Sequence, residues 1–74
     1  MTDLLAYPYQ VTCGSDLDRN GMFLELSKYG TAVAEVFYSD ADGRTTLTRL
    51  SDEASQEVLD ALVAEAARRL PPGP

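Results

Sequence analysis

The stretch 22–50, MFLELSKYGTAVAEVFYSDADGRTTLTRL, decides the fold. Apolar and polar residues alternate through MFLELS, and apolar residues recur through AVAEVFY. That is the period of strands with one face toward a core. Taking Lys28, Tyr29 and Gly30 as a three-residue loop places Ser27 opposite Thr31, Leu26 opposite Ala32, Leu24 opposite Ala34 and Met22 opposite Val36. The other face then receives Glu25 with Val33 and Phe23 with Glu35. A slip of one residue would set Leu24 against Glu35 and mix the faces.

A second three-residue loop at Ala41, Asp42 and Gly43 sets Asp40 opposite Arg44, Tyr38 opposite Thr46, Phe37 opposite Leu47 and Glu35 opposite Arg49. The last pair joins opposite charges across two strands, worth about 0.2–1 kcal/mol. The expected unit is a three-stranded antiparallel meander.

Beyond it, SDEASQEVLDALVAEAARRLPPGP reads as one amphipathic helix over 52–69. Ser51 suits the N-cap, and Asp52 and Glu53 complement the dipole in the first turn. Val58, Leu59, Leu62, Val63, Ala66 and Leu70 form an apolar stripe at helical spacing. Pro71 and Pro72 stop the helix and leave 71–74 as a frayed tail. The stripe must cover the face carrying Met22, Leu24, Leu26, Ala32, Ala34, Val36 and Leu50. Ahead of the meander, LLAYPYQVTC is a candidate fourth strand, confined to an edge by Pro8. The expected architecture is α+β, a meander with or without that N-terminal edge strand, and a C-terminal helix on one face. Residues 1–74 make one domain, with 1–15 as edge strand or arm.

Seventy-four residues bury only about 60% of the surface the unfolded chain exposes, so the core is thin and a partner subunit or ion would reinforce it. Cys13 is the sole cysteine, which excludes a disulfide within the chain. Histidine is absent, which excludes the usual zinc ligand sets. The net charge is −6, from 12 acidic against 6 basic residues. Nucleic acid and anionic membrane are therefore set aside as partners, and a basic protein is favoured. MTDLLAYPYQ lacks the basic and long apolar regions of a secretory signal, and no apolar run is long enough to span a bilayer. A cytoplasmic location is the expectation. Richness in Ala, Asp and Arg suits a bacterium of high genomic GC content.

Phe23, Val33, Phe37 and Leu47, with Glu25, Glu35 and Arg49 among them, give the second face of the sheet an apolar character that a solvated face normally lacks. Three occupants are open for it: the N-terminal segment with Leu4, Leu5, Tyr7 and Tyr9, a second copy of the chain, or another protein.

Asp16, Asp18 and Asn20 stand at positions one, three and five of a calcium-loop pattern, with Gly21 at six. Position twelve is Ser27, where a bidentate Glu belongs, so an acidic turn is the simpler reading and a weak calcium site the alternative. Cys13 has no base to activate it and reads as a small buried residue. Glu25 and Glu35 share a face but no evident cleft.

No catalytic residue, cofactor or firm metal site is assigned. The expected function is a small acidic non-catalytic protein-binding module, of the inhibitor or immunity type, for a basic partner. A homodimeric accessory module and a calcium-binding module are the alternatives. Phe23, Glu25, Val33, Glu35, Phe37, Leu47 and Arg49 are the candidate binding residues.

Overall fold

Alternation drives the two central strands to expose one side and bury the other, and turn residues set where each ends. In a computed structural model describing residues 5–70, the elements are β1 (Tyr9–Asp16), β2 (Gly21–Lys28), β3 (Thr31–Ser39), β4 (Thr45–Arg49) and α1 (Gln56–Arg69). The strands form one antiparallel sheet in the order β1-β2-β3-β4. The fold is α+β, and the fourth N-terminal edge strand is present. Leu4 and the expected tail 71–74 lie outside the described residues.

The β2–β3 hairpin keeps the expected faces by a different register. Its loop is two residues, Tyr29 (φ 52°) and Gly30 (φ 82°), with the positive φ at both positions that a type I′ turn requires. Ser27 pairs with Ala32 and Leu26 with Ala34, so Val33 is an extra residue without a partner on β2. Together the shorter loop and this bulge shift the pairing by two residues. Because side chains alternate with period two, Leu24 (opposite Val36) and Leu26 (opposite Ala34) stay on the helix side. The bulge changes Val33 itself, which turns into the core and is fully buried. Ala32, expected under the helix, instead lies opposite Ser27 and is half-buried.

The β3–β4 hairpin differs by one residue. Its loop has four residues, 40–43: the Ser39 N–H donates to the Arg44 carbonyl (2.9 Å) and the Gly43 N–H donates to the Ser39 carbonyl (2.8 Å). Asp42 Oδ1 accepts the Arg44 N–H at 3.1 Å, an Asx turn that holds the longer loop. Val36 consequently pairs with Leu47, Glu35 with Thr48 and Phe37 with Thr46. This slip turns every β4 side chain to the face opposite the one expected. Leu50, expected under the helix, is 53% exposed.

The helix begins four residues after the expected start. Ser55 is the N-cap, its Oγ accepting the Val58 N–H at 3.3 Å. Ser51 instead closes a preceding turn, its Oγ accepting the Glu53 N–H at 3.2 Å. That turn drives Ala54, which the helical periodicity did not mark, into the core. At the far end the Leu70 N–H donates to the Ala66 carbonyl at 2.8 Å. Leu59, Leu62 and Ala66 pack on Leu24, Leu26 and Val36. Burying a leucine of this kind contributes about 1.5–3 kcal/mol. Ala34 presents only a methyl group and lets the helix approach closely. Val63, expected in the buried stripe, is 42% exposed at its margin.

Candidate functional site

The uncovered side of the sheet is built from positions that alternate with the core. On β2 and β3 these are Phe23 opposite Phe37, and Glu25 opposite Glu35. On β1 they are Thr12, facing Glu25, and Gly14, facing Phe23. On β4 they are Thr46 and Thr48. The N-terminal segment is not their cover, as far as it is described: Leu5 and Tyr9 pack with Val11 and Met22 against the helix-side core. Of the three occupants open to the sequence, this one is removed for residues 5–9.

Glycines let the two phenylalanines lie close to the backbone. A Cβ on Gly14 would stand 3.0 Å from Phe23 Cζ, and a Cβ on Gly21 would stand 2.6 Å from Phe37 Cζ and 2.1 Å from the Tyr38 carbonyl oxygen. Gly21 therefore cannot carry a side chain without moving β3. The apolar centre of the face is these two rings, with threonines and carboxylates around them.

The residue that organises the face is Arg19, which no pattern in the sequence marks. It stands in the β1–β2 loop, and its guanidinium lies 4.2 Å from the centre of the Phe37 ring. Its Nη1 and Nη2 donate to Glu35 Oε1 (2.9 Å) and Oε2 (2.8 Å), a bidentate pair. Its Nε donates to Asp16 Oδ2 at 2.6 Å. The Glu35 side chain is 17% exposed, so the contact neutralises a carboxylate that is largely removed from water.

This geometry also decides how residues 16–21 are used. Asp16 Oδ1 accepts the N–H groups of Asp18 and Arg19, both at 3.1 Å, and Oδ2 takes Arg19 Nε. Asn20 adopts φ 55°, and its carbonyl accepts the Asp40 N–H at 3.0 Å. The stretch is an Asx turn with a cationic side chain at its centre. Arg19 holds Asp16 below the usual carboxylate range, through its side-chain hydrogen bond first and its backbone N–H second. Glu35 and then Asp16 raise Arg19 further above its already high value. Among the described residues no group of three or more His, Cys, Asp or Glu side chains is placed to hold a metal ion.

Three of the expected binding residues lie elsewhere. Val33 is in the core because it occupies the bulge. Leu47, opposite Val36, faces the helix side and is 40% exposed there. Arg49, opposite Ala34, also faces the helix side, where its Nη2 donates to the Ala54 carbonyl at 2.8 Å. Both β4 residues moved with the one-residue slip. Phe23, Glu25, Glu35 and Phe37 remain together on the uncovered face. Cys13, expected to be buried, is exposed on β1, because an edge strand lacks a neighbour on one side. Tyr38 is buried in the core.

No helix among the described residues is long and apolar enough to cross a membrane. Compared with models of known protein families, with curated proteins and with solved structures, the chain gives no significant match.

Proposed function

We propose that the chain is a small acidic, non-catalytic protein-binding module, of the inhibitor or immunity type, that receives a basic partner on its uncovered sheet face. One observation carries this reading: two phenylalanines and two carboxylates share the sheet face opposite the helix, and Arg19 engages only Phe37 and Glu35 among them. An apolar centre inside a polar rim is the anatomy of a protein interface. The net charge of −6 favours a basic partner and speeds its encounter more than it deepens affinity.

A photo-crosslinking residue at Thr48, beside Glu35 on this face, and another at Ala64, on the outer surface of α1, test it in the source cells. The expected result is a stoichiometric adduct at Thr48 only. Adducts at neither position, or equally at both, would rule the reading out.

A second reading, a homodimer, rests on β4, all five residues of which are exposed. An uncovered edge strand offers unpaired N–H and C=O groups to another strand. Light scattering on dilution separates the two: a dimer that persists at nanomolar concentration and dissociates when Leu47 is replaced by Pro favours the homodimer.

A further inference from the structure

We infer that the Phe23–Glu25 half of the uncovered face is an acceptor for an arginine side chain of the partner protein. This rests on the protein-binding reading above and names the chemistry of its contact. The chain supplies its own precedent on β3. There a ring and a carboxylate two residues apart on one face, Phe37 and Glu35, together hold the guanidinium of Arg19 by stacking and by a bidentate pair. The same combination repeats on β2: Phe23 and Glu25 are two residues apart, directly across from Phe37 and Glu35. Among the described residues no cation or hydrogen-bond donor engages the Glu25 carboxylate.

Two physical points direct the open half toward a guanidinium. Glu25 stands straight across from Glu35, and like charges placed so are destabilising. Arg19 is committed to Glu35 and Asp16, so the charge of Glu25 remains unmatched. In addition, the Phe23 ring lies against Gly14, and the position opposite Glu25 on β1 is Thr12. A planar cation arriving from solvent thus meets a ring, a free carboxylate and a hydroxyl. Arginine fits this set better than lysine, because its flat, weakly hydrated fork stacks and pairs at once.

The test uses the folded protein and a pentapeptide, Gly-Arg-Gly-Arg-Gly, followed by amide chemical shifts. The expected result is movement concentrated at Thr12, Phe23 and Glu25. Replacing arginine by citrulline, which keeps the shape and removes the charge, should weaken binding roughly tenfold or more, as expected for loss of a charge-assisted bidentate contact. Glu25→Gln should do the same while its melting midpoint stays equal to or above that of the parent. Glu57→Gln, on the exposed helix surface, should leave binding unchanged.

The inference is overturned by shifts spread over the acidic surface and equal for a lysine peptide, which mark unspecific attraction. It is equally overturned by a self-associated dimer that buries Phe23 and Glu25 without any arginine. If Thr48 captures a partner while the arginine peptide leaves Phe23 and Glu25 unmoved, the arginine contact fails and the binding face stands. If Thr48 captures nothing and the peptide moves nothing, both fail.

Discussion

Arg19 joins a turn, a ring and a carboxylate that are distant in sequence. It closes the Asx turn through Asp16, covers Phe37 and neutralises Glu35. Its removal leaves Glu35 and Glu25 facing each other uncompensated. Arg19→Met should therefore lower the melting midpoint, and Arg19→Lys should recover only part of the loss because a point charge cannot pair bidentately and stack at once. The same contact carries a pH signature. Arg19 depresses the folded-state value of Asp16, so its stabilisation is complete above the ordinary carboxylate value, about pH 4, and is lost as the pH falls through the lower folded value. Acidification below about pH 4 should destabilise the parent through this group and Arg19→Met less. Denaturant melts of the two proteins from pH 5 to pH 2 would show it, and parallel pH profiles would contradict the role given to Arg19.

At the scale of elements, serines show how local signals compete. Ser51 and Ser55 both precede acidic residues and both suit an N-cap. The second wins because the turn at Ser51 buries Ala54 and lets Arg49 reach the Ala54 carbonyl, after which Ser55 can receive the Val58 N–H. Ser55→Ala should cost about 1 kcal/mol, the usual effect of a lost cap, and Ser51→Ala should cost less. Chemical denaturation of the two variants ranks them, and the reverse order would restore the earlier helix start. β4 differs from the other strands in that every one of its residues is exposed. Few buried contacts mean cheap local opening. Amide hydrogens of Thr46 and Thr48 should exchange well before those of Leu24 and Val36 on the central strands. Uniform protection across the sheet would mean that something covers β4.

For the whole molecule, the core is a single layer of side chains between one helix and the two central strands. Leu62 is fully buried at its centre. Leu62→Ala should cost about 2–5 kcal/mol, comparable with the stability a small domain possesses. The variant should be largely unfolded at 37 °C by circular dichroism, whereas Val63→Ala, at a position 42% exposed, should remain folded. The helix packs on β2 and β3 from one side of the sheet, and the proposed binding face is the other side, where Phe23 and Glu25 lie beyond the reach of Arg19.

Strand period, the glycine turns and the helical stripe were legible along the chain because each depends on neighbours a few residues away. They determined the meander, the C-terminal helix and the placement of Phe23, Glu25, Glu35 and Phe37 on the side away from it. Loop lengths and the bulge at Val33 were not legible, since a loop of two, three or four residues satisfies the same local preferences, and only packing selects among them. A shift of two residues in one hairpin left its alternating faces intact, whereas a shift of one residue in the next reversed β4 and took Leu47 and Arg49 off the site. Arg19 lay beyond sequence reasoning for a related reason: its partner Glu35 is sixteen residues away, and tertiary structure alone brings the β1–β2 loop over the ring of Phe37.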